Sequence, residues 1–494
     1  YAWNVFSRKC EFEVEFENQI IAHLAIEVRH LRRNLTAERN HRTLELYALF
    51  IAALALPELD HDGLLEFAVA ELHRNLLTDV RPDGVHREQS THYHMTALRS
   101  FLGARENALR FGVEFPAGYD ERLEKACEFL LHVQRPDGLI PALSDADTGS
   151  YSDLLALAAT IFRREDFLCA ASAETCPSFP DGGYFIQRSG WDDRARYLVF
   201  DCGPIGDGGH GHYDLLSIEV AANGRPLIVD PGRFTYAESD WRRQFKGTAA
   251  HNTVCVDDLD QVEYRRGKPK PPLAQGRLLE RFNGHGLDML CGEVRSPMYE
   301  AVHTRRIFFV AGEYWLLVDS LRGSVSHKYD LRFHLTAAAL NHCTRIAGGI
   351  RTPDMVLLLS NCRGGPPWPP VAQPPRGYEE RAATEGRPYS CSLSHGWISP
   401  RYGIKQAAPV VSFVSTGEAN ADFYTLIAPR TLSAPLPQLQ VLSNSDPLYS
   451  GRVRIEGVGE NFTEVDELSW HRDSSSGVTG PTWTGQVAWR RVSL

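Results

Sequence analysis

Four short stretches of this chain concentrate side chains that can bind anions, move protons or hold a metal. The first is Arg39-Asn40-His41-Arg42, at the start of a helical run through Leu44–Leu56. Two guanidinium groups, an amide and an imidazole make an anion site there, because helix N-terminal N–H groups and the helix dipole add to them. The plain alternative is a solvated helix start with Asn40 as its cap. The second is His86-Arg87-Glu88-Gln89-Ser90-Thr91-His92-Tyr93-His94, which follows a Pro82-Asp83-Gly84 turn and enters a helix. It is dense in titratable groups, although a polar inter-helix loop with Tyr93 packed by its ring would look similar. The third is Asp207-Gly208-Gly209-His210-Gly211-His212-Tyr213-Asp214. Its glycines let the backbone approach a ligand, and His210 and His212, two apart, face one side of an extended segment. A flexible surface loop is the alternative. The fourth joins Asp230-Pro231-Gly232-Arg233-Phe234-Thr235-Tyr236, Trp241-Arg242-Arg243 and Ala250-His251-Asn252-Thr253.

The elements that must position these residues fall into two regimes. Apolar residues recur at helical spacing in Phe16–Leu35, Ala37–Leu56, Gly63–Leu77, Met95–Phe111, Tyr119–Val133 and Asp153–Phe162,. Turns such as Arg81-Pro82-Asp83-Gly84 and Arg135-Pro136-Asp137-Gly138 separate them,. Repeated helix–turn–helix units predict stacked helical hairpins, as in an α/α toroid or solenoid. Near Cys176-Pro177 strand signals take over. Ser217–Ala222 and Pro226–Val229 flank Asn223-Gly224, a type I′ hairpin signal,. Thr304–Val310 and Tyr314–Val318 flank Ala311-Gly312-Glu313, a second hairpin, and Lys328–Leu335 alternates. The Gly364–Pro370 stretch, with four prolines, reads as a loop,. The expected architecture is therefore α+β and multidomain: a helical domain over 1–178 and a large antiparallel β-sandwich domain over 179–494. The Asn223-Gly224 hairpin has a consequence for the third and fourth stretches. Asp230 ends one of its strands and the other is entered just after His212, so the two side chains come close. With His251 they make a ligand set for zinc or a similar divalent ion.

Bulk properties bound the partners. With 494 residues the chain exceeds one ordinary core, which favours two domains,. A formal net charge of -10 argues against a nucleic-acid partner or an anionic membrane surface, and makes any anionic substrate depend on a local cationic pocket,. The longest apolar stretch, Tyr47–Pro57, is too short to span a membrane,. Ten cysteines without a CxxC pair, several in apolar runs, suit a reducing compartment, although their even number leaves disulfides open,. The expected location is the bacterial periplasm or cytoplasm. The chain opens on Tyr1 without a signal-peptide layout, so either a segment was removed or the numbering starts inside a longer precursor,. The Asn-x-Thr triplets at Asn34 and Asn461 are read as chance matches.

Taken in order, Asn40-His41-Arg42, Glu88–His94, His210-Gly211-His212-Tyr213-Asp214-Leu215-Leu216-Ser217, Val229-Asp230-Pro231-Gly232 and Ala250-His251-Asn252-Thr253-Val254, continuing to Asp257, Asp260 and Gln261, resemble the heparinase II/III superfamily of polysaccharide lyases. The resemblance covers roughly residues 30 to 335 and extends more weakly to 405. It implies an incomplete α/α toroid followed by a multi-layered antiparallel β domain. Members usually carry more helix ahead of the Asn-His motif than this chain does. It also implies β-elimination at a uronic acid. That reaction must neutralise the carboxylate, remove the C5 proton and protonate the O4 leaving group, with fixed donors stabilising the enolate that develops.

By that resemblance Asn40 and His41 take the carboxylate, and Tyr93 and His210 are the catalytic pair. Tyr93 would act as acid, or as base where cations lower its pKa. His210 would act as base for at least one uronate epimer. Tyr236 is an alternative acid or base. Arg87, Glu88, Trp241 and Arg243 are expected to bind the substrate, an anionic polysaccharide or oligosaccharide. His212, Asp230 and His251 match the family's metal site, with zinc expected before manganese or calcium. The metal would order the loop that presents His210. A glycosaminoglycan of fairly broad type is the first expectation for substrate and alginate the second. Two other classes remain. A toroid glycoside hydrolase would need paired carboxylates such as Glu88 and Asp214, leaving Asn40 and Tyr93 without a role. A non-catalytic glycan-binding protein would not need four sets of reactive side chains.

Overall fold

The computed structural model describes residues 9–56, 63–169, 174–360, 389–443, 445–459, 462–472 and 485–493. The Gly364–Pro370 loop, Cys362 and Asn461 lie outside them. The chain divides into two compact units, and neither is continuous in sequence. The first comprises Tyr1–Glu88, His92–Leu131 and Tyr151–Cys169; the second comprises Gln89–Thr91, His132–Ser150 and Ala170–Leu494.

The first unit is helical. Its described helices are α1 (Val14–Arg33), α2 (Arg39–Ala55), α3 (Leu64–Asp79), α4 (Thr91–Phe111), α5 (Tyr119–Val133) and α6 (Ser152–Phe162), so each helix expected from periodicity is present. Leu46, Leu49, Phe50 and Ala53 of α2 and Leu64, Ala68, Leu72 and Leu76 of α3 are buried, at the three- and four-residue spacing that makes one apolar stripe per helix. Asn75 Nδ2 donates to Thr43 Oγ1 at 2.7 Å across this pair. The Pro82-Asp83-Gly84 turn is closed by Arg81 N donating to Val85 O at 2.8 Å. Gly84 has φ +96°, and a Cβ there would strike the Lys125 carbonyl, so the position requires glycine,. The turn at Arg135, which belongs to the second unit, repeats the pattern, with Arg135 N donating to Leu139 O at 2.9 Å. Starting at Thr91, α4 takes in His92, Tyr93 and His94.

The second unit is built from three antiparallel sheets. The first is five-stranded, in the order β1 (Ser178–Phe179), β2 (Tyr184–Arg188), β3 (Tyr197–Asp201), β4 (Ile218–Ala222) and β5 (Arg225–Ile228). In the β4–β5 turn Asn223 has φ 53° and Gly224 φ 69°, the two left-handed residues of a type I′ turn. The ten-stranded sheet holds β6 (Val254–Val256), β7 (Gln275–Gly284), β8 (Leu287–Arg295), β9 (Val302–Val310), β10 (Tyr314–His334), β11 (Thr344–Ile346), β12 (Gly349–Arg351), β13 (Met355–Ser360), β14 (Tyr389–Arg401) and β15 (Ile404–Pro429). The last sheet holds β16 (Gln438–Val441), β17 (Ser450–Val458), β18 (Glu464–Arg472) and β19 (Gly485–Ser493).

Strand β10 explains how the sheets stack. Trp315 and Leu317 pack with Phe200 and Val220 of the five-stranded sheet. Leu316 and Val318, on the opposite face, pack with Val453, Leu468 and Trp470 of the four-stranded sheet. A strand buried on both faces has no polar side, which accounts for the nearly unbroken apolar run from Tyr314. The nine described cysteines are free thiols.

Candidate active site and metal centre

In the helical unit the second stretch builds the platform for the first. Glu38 precedes α2, so Asn40 is the second residue of the helix rather than its cap. Glu88 is fully buried and its Oε1 accepts from Asn40 N at 3.4 Å. A carboxylate at a helix N-terminus is favourable, and here it fixes the turn that carries Asn40. Asn40 is 5% exposed, yet its carboxamide has no hydrogen-bond partner among the described residues. A buried amide in that state is suited to an incoming acceptor. His41 is exposed, on a different face of α2 from Asn40.

Two residues expected to contact substrate already have partners within the unit. Arg87 Nε lies 3.1 Å from Asp79 Oδ1, and its Nη2 also pairs with Glu38. Its charge is engaged inside the unit. Glu88 is fully buried and supports Asn40 from below. Sequence shows that such residues are charged, but not where the charge is already answered. Tyr93, in the first turn of α4, is half-buried, its ring edge-on to His92 at 5.6 Å. His94 beside it is structural: Nε2 lies 3.1 Å from Ala126 O, and Nδ1 accepts from His86 N at 3.3 Å. Burial lowers its pKa to about 4.

In the β unit a carboxylate absent from the sequence-level candidates organises the third and fourth stretches. Asp145 lies in the segment after α5 and is fully buried. Its Oδ2 is 3.1 Å from His210 Nδ1, and its Oδ1 is 2.9 Å from His212 Nε2. Arg242 caps both oxygens, with Nη2 to Oδ2 at 2.8 Å. Burial opposes the charge, but the bonds from His210, His212 and Arg242 outweigh it and hold the carboxyl well below the usual carboxylate range. Because a carboxylate only accepts, both histidines present a donor to it. In the neutral tautomers that fit these bonds, the remaining lone pair lies on Nε2 of His210 and on Nδ1 of His212. The loop is pinned from the other side too. Gly209 O accepts from Lys246 Nζ at 2.7 Å and from Arg242 Nη2 at 3.2 Å. Arg242 and Lys246 belong to α7 (Asp240–Lys246), whose N-cap Ser239 accepts from Arg242 N.

The metal set assembles as the hairpin required. The ligand atoms of His212, Asp230 and His251 lie within 4.8 Å of one another, and all three residues are buried. His251 Nδ1 is 2.8 Å from Asp230 Oδ2. That leaves His212 Nδ1 and His251 Nε2 buried with no hydrogen-bond partner among the described residues. Two orphaned imidazole nitrogens beside a carboxylate fit a divalent ion, and Asp145 supplies the outer hydrogen bond that metal-ligating histidines need. Asn252, fully buried, holds the neighbouring strands, donating to Ile218 O at 2.8 Å and Val229 O at 3.0 Å.

Tyr236 stands against the His210 ring at 5.7 Å, edge to face. Its hydroxyl accepts from Arg233 Nη1 at 2.6 Å, while Arg233 also pairs with Asp147. Trp241 is half-buried; Arg243 is exposed and pairs with Glu238 at 3.0 Å. Asp214, the carboxylate a hydrolase would borrow, is buried and accepts from Ser144 Oγ at 3.1 Å.

The chain matches two family models: "Heparinase II/III N-terminus" over residues 1–166 and "Heparinase II/III-like, C-terminal" over 172–435. Among curated proteins it is similar to a heparin-sulfate lyase of Bacteroides stercoris, 25% identical over 358 residues, covering 67% of this chain and 51% of that protein. A heparin-sulfate lyase of Pedobacter heparinus is 24% identical over 326 residues, covering 62% and 48%. The chain thus spans about half the length of these relatives. Similar solved structures include a heparinase III gene product, with a TM-score of 0.76 at 21% identity over 92% of this chain and 69% of that one. A heparan sulfate lyase from Pedobacter heparinus gives 0.72 at 20% identity, over 89% and 68%. These likenesses establish the fold, an N-terminal helical region followed by large antiparallel sheets.

Proposed function

From the premise that this chain belongs to the heparinase II/III family, we propose that it is a polysaccharide lyase cleaving a uronic-acid-containing glycan by β-elimination. The observation that carries the reading is the double hold of Asp145 on His210 and His212. One carboxylate fixes the ring that needs a free Nε2 for proton transfer and the ring that needs a free Nδ1 for a metal. A base must have its other nitrogen anchored, and Asp145 anchors His210 through Nδ1 at 3.1 Å.

The residues divide the reaction as follows. Asn40 donates to the uronate carboxylate, which favours charge spreading onto it as the C5 proton leaves. His41 is kept as an assisting donor at the outer edge. His210 Nε2 takes the C5 proton. Tyr93 gives its phenolic proton to O4 as the C4–O4 bond breaks and the C4=C5 double bond forms. Tyr236, against the His210 ring, is the alternative proton carrier. A divalent ion, zinc by the donor set, would be held by His212, Asp230 and His251. Its contribution is to order the His210 loop, since His212 is two residues away.

The relatives' names point to heparan sulfate as first substrate, within a glycosaminoglycan range, and alginate stays second. The test follows absorbance of the unsaturated uronate on heparan sulfate, hyaluronan, chondroitin sulfate and alginate, as polymers and short oligosaccharides. An absorbance rise on one of them, reduced about 10²–10⁴-fold by Tyr93→Phe, is expected. Reducing ends released without absorbance would mean hydrolysis and overturn the proposal, as would binding without any turnover.

A further inference from the structure

Most cations near His210 and α7 already face a carboxylate: Arg242 faces Asp145, Arg233 faces Asp147, Arg243 faces Glu238 and Arg332 faces Asp330. Lys405 does not. Among the described residues it makes no ion pair and no hydrogen bond. Its Nζ lies instead 3.7 Å from the ring centre of Trp241 and 3.8 Å from that of Trp397, with Phe234 at 5.7 Å. The two indoles stand edge to face at 5.5 Å.

The arrangement follows from register. Trp397 of β14 pairs with Ala407 of β15, so Lys405, two residues from Ala407, is its diagonal neighbour on the same face. Helix α7 brings Trp241 to the other side. Cation–π contacts hold the ammonium without neutralising it, so a half-buried positive charge keeps N–H donors for a ligand. Beside it opens a groove of about 540 Å³, the size range of small-ligand sites. Trp397 forms one wall, and Ser392, Ser394, Ser412, His395 and Arg243 contribute polar groups. An indole face for the apolar side of a pyranose, hydroxyl and imidazole partners for its hydroxyls, and an unanswered cation for an acidic substituent together describe an anionic-sugar site.

We propose that Trp241, Trp397 and Lys405, with this groove, form a subsite that binds a sulfated or carboxylated sugar of the substrate away from the bond being cleaved. The proposal rests on the lyase reading and adds Lys405 and Trp397 as specificity-determining residues. It explains how a chain of net charge -10 can hold a polyanion: the attraction is local.

The test compares Lys405→Ala, Lys405→Arg and Trp397→Ala with the wild-type chain on a heparan sulfate tetrasaccharide and decasaccharide, with melting temperature as the folding control. For Lys405→Ala and Trp397→Ala, KM on the decasaccharide is expected to rise about tenfold relative to its rise on the tetrasaccharide, with Lys405→Arg restoring most of it. Equal effects on both lengths, or none, would overturn the subsite. If the wild-type chain turns over neither oligosaccharide, the lyase reading fails separately. Calorimetric binding of the decasaccharide then decides: weaker binding by Lys405→Ala than by Lys405→Arg supports the subsite, and equal binding overturns it.

Discussion

Asp145 concentrates the chemistry of the β unit in one side chain. It is 65 residues from His210 in sequence and sits in no motif, so reading the chain in order could not connect them. The metal set was legible because it rested on residue types known for ligation and on one turn, Asn223-Gly224, whose geometry is fixed locally. The partners of Arg87 and Glu88 were not legible for the opposite reason, since Asp79, Glu38 and Asn40 become their neighbours only after folding. Replacing Asp145 by Asn keeps the volume but removes the charge that answers Arg242 and one of the acceptors that two imidazoles share. Such outer partners typically matter about 10–100-fold, so Asp145→Asn is expected to lower kcat and metal content together by about that factor. Elemental analysis alongside kinetics checks it; full metal content with unchanged kcat would show that His210 is held by other means. Chelation should likewise lower both activity and melting temperature, and a metal-free chain of undiminished activity would remove the ion from the account.

At the scale of elements, the helices and the Asn-Gly hairpin were readable because their signals are periodic or local, whereas the segment after α5 was not. Arg135 in that segment is buried against Glu219 of β4, with Nη1 to Oε1 at 2.7 Å, and also pairs with Asp137. Glu219 Oε2 accepts from Asp230 N at 3.3 Å, so one acid ties the segment to a metal ligand. Glu219→Gln leaves Arg135 only half answered and is expected to cost up to about 3 kcal/mol in urea unfolding. A shift within error would mean that Asp137 alone suffices. Between α4 and α5, His94 gives a pH dependence. Its folded pKa of about 4 lies below the ordinary 6.5 because of burial, so an unfolded chain takes the proton first. The stability this provides is complete above pH 6.5 and is lost as pH falls toward about 4,. In His94→Gln the acid limb of the melting curve against pH should flatten; an unchanged limb would assign acid sensitivity to other groups.

On the scale of the whole molecule, charge and local contacts oppose each other. At low ionic strength, where screening reaches about 30 Å, a net charge of -10 repels a polyanion; at high ionic strength, local contacts such as that of Lys405 are screened. KM on a long anionic polymer is therefore expected to pass through a minimum as salt is added, and a steady rise from the lowest salt would show that local cations prevail throughout. The division of the chain has a different consequence, in time. The path changes unit five times, after Glu88, Thr91, Leu131, Ser150 and Cys169. On a ribosome, Ser144 and Asp145 emerge long before His210, His212 and Arg242, and Arg135 emerges before Glu219. The nascent β unit must keep these early polar groups solvated until their partners arrive, so the first half of the protein cannot mature as a finished piece ahead of the second. No single cut in the coding sequence would yield either unit intact.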